Sequence, residues 1–406
     1  MSQILAVDDL LPELVALRQD LHAHPEPAFE ERRTARIVAD ALRRLGLEVH
    51  EGLAGTGVVG TLRQGQGARS IGLRADMDAL PIAELSGLPY ASRCAGVHHG
   101  CGHDGHTAML IGAARQLART RRFDGCVHFI FQPAEEGRGG AREMVRQGLF
   151  ERFPCDAVYA LHNWPDLPLG HAQTRVGPIM AAADRFDIVL RGRGAHAAQP
   201  HRTPDVLLAA SQLVTQLNTI VARRIDPVQS AVLSVTRVSG GSSHNVLPAE
   251  AVVTGTVRSF EAQAQDRIEA ALREAVEGIA LGYGVAAQTS YDRYYPATVN
   301  SAQQAMLALG AAADAGMQAG EAPAPAFTSE DFAFLLRERP GAYLWLGQGR
   351  AEGEARETFP LHHPCFDFND HALPNGVRWF CAVVERELGR AVNAAPGTTS
   401  RSDNGS

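Results

Sequence analysis

Residues 98–120 read HHGCGHDGHTAMLIGAARQLART, and the rest of the chain is best understood outward from this stretch. Four histidines, a cysteine and an aspartate fall between His98 and Thr107, separated by glycines. The residues that follow have the apolar spacing of an amphipathic helix, so the cluster is expected in a glycine-rich loop at a helix N-terminus. Thiolate and neutral imidazole are the ligands a borderline-soft divalent metal prefers. Cys101 and His103 stand two apart, and extended backbone would turn both to one face. A buried cysteine beside exposed histidines is the plain alternative. The density of donors, flanked by small residues, favours a metal site.

Upstream, apolar spacing predicts helices over about 8–23 and 29–45, the first stopped by HAHPEP and the second by Gly46. His22 and His24 then close a helix, where imidazolium suits the dipole. Two β-like runs follow, GVVGTL and SIGLRADMD, the second ending in Asp76 and Asp78. Ligand sites in open α/β sheets collect at strand C-termini. Asp76 is therefore a candidate to steady a metal ligand from behind, and a loop-capping role is its alternative.

Downstream, the apolar run Cys126 to Phe131 leads to a turn carrying Glu135 and Glu136. Of two adjacent carboxylates, one can hold a metal while the other serves as general base. Acids at a helix start are common without any such task. The next run, DAVYALHNW, brings His162 to what reads as a third strand end. Three successive strands thus deliver Asp, Glu and His to one edge.

Near residue 184 the pattern changes. Strand, His-containing loop, long helix, two strands around SSHNVLP, a helix over about 262–281 and a strand near 288–293 follow in βαββαβ order. That order fits a small α+β unit, an antiparallel sheet with two helices on one face. It carries His196, His201, His244, Asn245 and Arg258, which no metal spacing links. Beyond 298 the α/β pattern returns with a helix over 301–315, the SEDFAFLL helix and the strand AYLWLGQG. His362 and His363 then stand in a loop before a long closing helix. The expected organisation is a catalytic domain in two parts, 1–183 and 298–390. Between them lies an inserted domain, 184–297, and after them a polar tail, 391–406, expected to be disordered.

The 406 residues exceed the usual reach of a single core, which agrees with two domains. A net charge of -7 without blocks of like charge argues against nucleic acid or an anionic membrane as partner. The start has no secretory pattern and no apolar run is long enough to span a bilayer. Six scattered cysteines fit a reducing compartment, and the expected location is the cytoplasm.

Taken together, LRADMDALPI, HHGCGHDGHTAML, FQPAEEGRGGA, ALHNWP, GRGAHAAQPH, SHNVLP, GTVRSF, SEDFAF and LHHPCFDFND run in the order found in one enzyme family. The chain resembles hippurate hydrolases and N-acyl-amino-acid amidohydrolases. These belong to the dinuclear metallo-exopeptidases, with aminoacylase, the plant indole-acetyl-amino-acid hydrolases and glutamate carboxypeptidase. The resemblance covers about residues 8–390. It implies a mixed sheet between helices as catalytic domain, and a ferredoxin-like inserted domain serving as lid and dimerisation surface.

It also implies residue roles. Cys101 is the bridging thiolate, and His103, Glu136, His162 and His362 complete the ligands of two divalent ions, with His362 rather than His363 as the last. One ion falls to Cys101, Glu136 and His362, the other to Cys101, His103 and His162. Zn2+ or Mn2+ suits the donors, and Co2+ or Ni2+ also fits. Glu135 is the implied general base, and His196 holds the substrate carbonyl, often across a homodimer. Asn245 and Arg258 bind the substrate's free carboxylate. The implied reaction is hydrolysis of an N-acyl-amino acid by metal-bound water that Glu135 activates. A metallo-carboxypeptidase or dipeptidase of the same fold, a thiol hydrolase using Cys101 and His103, and a non-catalytic metal-binding protein are the alternatives. His98 and Gly100 depart from the commoner pattern, which has methionine and alanine there.

Overall fold

Strand Gly125–Gln132 is buried at every position, and Ser70–Asp76 at all but its first. Runs apolar on both faces belong in the middle of a covered parallel sheet, and that is where they lie. A computed structural model describes residues 5–350 and 356–389. In it Gly125–Gln132, Ser70–Asp76, Ala157–Pro168 and Gly341–Gly349 run parallel as neighbours in an eight-stranded mixed sheet. Antiparallel strands Gly57–Gln64 and Glu48–Leu53 extend one edge. Strands His171–Thr174 and Gln318–Glu321 extend the other. The sequence reading did not anticipate strand Glu48–Leu53, since only Val49 and Leu53 are apolar among its six residues and only Leu53 is buried.

One face of this sheet carries the larger core, packed under helices Leu11–Ala23, Arg32–Arg44, His103–Thr120, Ala302–Asp314 and Leu373–Leu388. A smaller core, including Phe332, Tyr343 and Met144, covers the other face. Helix His103–Thr120 is not amphipathic as expected. It is buried on every side through its first three turns, because the sheet lies beneath it and helices Leu11–Ala23, Arg32–Arg44 and Leu373–Leu388 pack around it. A Cβ at Gly105 would fall 2.4 Å from the Phe368 ring, and one at Gly112 2.7 Å from Val377. Small residues thus set the depth at which the helix, and the loop before it, sits.

A second, four-stranded antiparallel sheet is built from Ala182–Arg191, Ala231–Gly240, Glu250–Ser259 and Ala286–Tyr295. Helices Val206–Leu217 and Ala262–Tyr283 cover one face and share a separate core with it. The order along the chain is the expected βαββαβ. The chain leaves the large sheet and returns side by side, with Gly177–Met180 paired antiparallel to Thr298–Asn300. The tail 391–406, expected to be disordered, lies outside the described residues.

Candidate metal centre

The site grows from the C-terminal edge of the four parallel strands. After Ser70–Asp76 the chain runs through a long loop to Cys101, and Gly102 turns it into helix His103–Thr120 with a φ of 91°. Only glycine serves at 102: besides the positive φ, a Cβ there would lie 2.4 Å from the Asn163 amide oxygen. Cys101 and His103 therefore do not share a face of extended backbone. They meet because the left-handed turn folds one over the other's helix start.

His103 Nδ1 donates to the carbonyl of Asp78 at 2.9 Å, which leaves Nε2 buried and without a hydrogen bond. The Asp78 carboxylate accepts from the backbone N–H of Glu135 at 3.0 Å and of Glu136 at 2.9 Å. Asp78, not Asp76, ties the loop to the glutamate pair. Asp76 sits deeper, accepting from Arg74 at 2.6 Å and from His106 Nδ1 at 2.6 Å. His106 in turn accepts the N–H of Asn163 at Nε2, so both its nitrogens are occupied in holding the frame.

Glu135 and Glu136 stand in an irregular turn that Ala134 enters with a φ of 56°. The Glu31 carboxylate holds this turn by accepting the Ala134 N–H at 2.8 Å. Tyr295 donates its hydroxyl to the Glu135 carbonyl at 2.5 Å. Glu136 Oε1 has no hydrogen bond and lies 3.3 Å from His362 Nε2 and 4.0 Å from His103 Nε2. His162 donates Nδ1 to the Asn163 carbonyl at 2.7 Å and faces Cys101 Sγ with Nε2 at 3.4 Å. Its strand does not end there but runs on to Pro168, so the ligand-type residue projects from mid-strand. His362 adopts a φ of 65°, unusual for a non-glycine residue and pinned by its N–H to the Gly100 carbonyl at 2.8 Å. His363 instead stacks on Phe359.

Two triads result, Cys101/His103/His162 and Cys101/Glu136/His362, and within each the donor atoms lie within 4.8 Å of one another. They share the cysteine sulfur. Buried imidazole and carboxylate atoms with no hydrogen bond are costly unless something binds them. His103 Nε2 and Glu136 Oε1 are two such atoms, both aimed into the cluster. Burial pushes the Cys101 thiol well above its usual range, and Glu136, Glu135 and Asp76 push it the same way. Burial also lifts the Glu135 carboxyl far up, with Glu330 and Glu136 adding to it, and keeps His162 neutral. A cluster this rich in negative charge fits a pair of divalent cations. The rise at Cys101 is opposite to what a thiol nucleophile needs.

Cys101, Glu136, His162 and His362 line the floor of a cavity of about 350 Å³. Trp164, Met180 and Leu361 give it an apolar wall, and Arg258 reaches it from the four-stranded sheet. His196 and Asn245 do not line it. They lie exposed on a ribbon in which Ala195–His196 pairs with Val246–Leu247, and the Ala197 N–H donates to the Asn245 carbonyl at 3.0 Å. That ribbon follows the opposite end of the sheet from Arg258, which pairs with Ala183 while Glu250 pairs with Arg191. His201 and His244 are exposed as well.

Sequence reasoning missed the support beneath the site. Arg74, fully buried, bonds Asp76, Gln132, Glu330 and Asp331. Glu330 and Asp331 belong to the stretch read as the start of the SEDFAFLL helix, but the helix begins at Ala333. The two acids are spent instead on Arg74 and on the Ala141 N–H. An arginine inside an otherwise apolar strand was the available signal, since a buried guanidinium demands carboxylates. His22 is also corrected. It accepts no helix-end role; His24 takes it, bonding the Asp20 carbonyl, while His22 turns inward to Asp104.

A mixed α/β fold with a two-triad Cys/His/Glu centre at its strand ends defines a metal-dependent hydrolase. Residues 72–386 match the model of peptidase family M20/M25/M40, and the chain belongs to that family. It is 39% identical to N-acetylcysteine deacetylase of Bacillus subtilis (strain 168) over 376 residues, 91% of this chain and 96% of the relative. Hippurate hydrolase of Campylobacter jejuni is 35% identical, with 96% of this chain and all of the relative covered. A solved structure of the Bacillus subtilis YXEP protein, described as a dinuclear metal binding peptidase from the M20 family, is 35% identical. It superposes with a TM-score of 0.81 over 93% of this chain and 98% of that one. Among the described residues no helix is long and apolar enough to cross a membrane.

Proposed function

We propose that the protein hydrolyses the amide bond of N-acyl-amino acids, releasing a carboxylic acid and an amino acid. The observation that carries this reading is the pair of triads sharing Cys101 Sγ beneath a cavity that Arg258 enters. Cys101, Glu136 and His362 would hold one divalent ion, and Cys101, His103 and His162 the other. Zinc or manganese suits these donors, with cobalt or nickel as substitutes. Bound there, such ions acidify water and polarise a carbonyl.

The chain's own groups do the rest. Glu135, adjacent to the ligand Glu136 and held by Asp78 and Tyr295, takes a proton from the attacking water and passes it to the leaving nitrogen. Arg258, which lines the cavity, binds the free carboxylate as a two-pronged donor. The Trp164, Met180 and Leu361 wall receives the acyl group and excludes water from it.

Residues 184–297 act as an inserted lid and dimerisation domain between two parts of the catalytic domain. In that arrangement a second copy brings His196 to the substrate carbonyl and Asn245 to its carboxylate. Six unpaired cysteines suit a reducing cytoplasm. The names of the relatives support the substrate class.

A panel of N-acyl-amino acids, their carboxamide-blocked analogues and dipeptides, assayed after metal reconstitution, tests the proposal. Free acids should be cleaved at least roughly 10-fold faster than blocked analogues, as loss of a charged hydrogen bond predicts. Equal rates would remove Arg258 from its role. Preference for dipeptides would make the enzyme a peptidase of the same fold.

A further inference from the structure

His98 has no part in the proposed hydrolysis. It stands where the commoner pattern has methionine, it is fully buried, and neither ring nitrogen has a hydrogen bond. Two imidazole nitrogens deprived of water and partners call for an explanation.

The neighbours supply one. His98 Nδ1 lies 3.4 Å from Glu84 Oε2, and His22 Nε2 lies 3.4 Å from Glu84 Oε1. One donor atom from each of the three residues falls within 4.8 Å of the other two. A charge-assisted N–H···O bond would close to about 2.7–2.9 Å; the His22–Glu84 hydrogen bond is long by that measure, and the His98–Glu84 contact is not one at all. Each contact matches the spacing of two ligands across a tetrahedral ion, roughly 3.4 Å for bonds of about 2.0–2.1 Å, with one imidazole facing each Glu84 oxygen, an arrangement that suits a carboxylate shared between the two rings and an ion. The centre around Cys101 has the same spacing, 3.4 Å from Sγ to His162 and 3.3 Å from Glu136 to His362.

The groups behind these three side chains are also those a metal site needs. His22 Nδ1 bonds Asp104 Oδ2 at 2.8 Å, which fixes the tautomer and aims the Nε2 lone pair at Glu84 and His98. The Glu84 carboxylate is oriented by the Ser92 N–H at 2.6 Å and by the Ser86 hydroxyl. Arg18 lies 3.6 Å from Asp104 Oδ2 and is engaged by Asp367 and Asp370 as well. Among the described residues the ion pairs of Glu84 are with His22 and His98.

We propose that His22, Glu84 and His98 hold a further divalent metal ion, of the zinc class, distinct from the pair assigned to the Cys101 cluster. Three protein ligands leave a fourth position for water. The ion would be structural. It ties helix Leu11–Ala23 to the loop three residues ahead of Cys101, and through Asp104 to the helix start that carries His103.

Equilibrium dialysis of the full chain against Zn2+, with bound metal counted per chain, tests this. His98→Met, similar in volume, should bind one equivalent less than wild type, and His98→Gln replaces it if the methionine variant does not fold. The comparison is repeated in a Cys101→Ser background, where the same difference of one equivalent is expected whatever number the Cys101 cluster holds. Equal zinc with and without His98 overturns the proposal and leaves His22 as an imidazolium shared by two carboxylates. A loss seen only when Cys101 is present overturns it too, because the missing ion then belonged to the other centre.

Discussion

The two sheets treat their candidate functional residues differently. At the edge of the eight-stranded sheet, four side chains, from a helix start, a turn, a strand and a loop, gather around the sulfur of Cys101. On the four-stranded sheet, Arg258 reaches that cavity from one end while His196 and Asn245 sit together on an exposed ribbon at the other. The physical reason is strand direction. Parallel strands put every C-terminal loop on one edge, whereas antiparallel strands alternate, so successive loops fall at opposite ends. Convergence within one chain is therefore built into the first sheet and denied to the second. Residues of the second can meet the site only from Arg258's end, or from another copy.

The largest expected effects break the first half of this contrast. Glu135→Gln should lower turnover by about 100-fold to 10,000-fold, in the range of lost general bases, with metal content unchanged by elemental analysis. Parallel loss of metal would move Glu135 among the ligands. Cys101→Ser should deplete both ions of the pair, and a fully active, fully loaded serine variant would remove the bridge.

A mixing experiment sharpens the second half. Chains carrying Glu135→Gln and chains carrying His196→Ala should each be slow alone. If the ribbon serves a second copy, refolding them together should restore roughly a quarter of wild-type activity, because half the dimers are mixed and each holds one intact site. No recovery above the separate variants would confine His196 to a role within its own chain.

The smallest effect concerns the turn before Glu135. Burial raises the Glu31 carboxyl to about 7, against the Thr56 hydroxyl, which lowers it, and with Asp78 adding to the rise. A carboxyl with a raised folded-state value contributes most below its unfolded value near 4.5 and loses that contribution as pH rises through 7. Glu31→Gln should therefore gain stability relative to wild type between pH 5 and 8, by up to about 3 kcal/mol. Thermal melts across that range would show it, and a difference independent of pH would refute the shift.

Much of this was legible from residue order. Cys101, His103, Glu136, His162 and His362 are small-molecule chemistry written in side-chain types, and apolar runs of buried length announce parallel strands. What was not legible depends on partners far along the chain. Asp78 rather than Asp76 braces the glutamates because its backbone turns away from the strand end. Glu330 and Asp331 look like a helix start until buried Arg74 claims them. His22 reads as a helix terminus until His98 and Glu84 close over it.

The sequence alone supplied the candidate donors, the α/β pattern and the βαββαβ order, since these follow from residue chemistry and local periodicity. Tertiary structure alone decided which donors share an atom, which histidines stay outside, and where buried charge is compensated. Those outcomes rest on contacts between residues as much as 352 positions apart, as for Arg18 and Asp370, and local periodicity carries no information about such contacts.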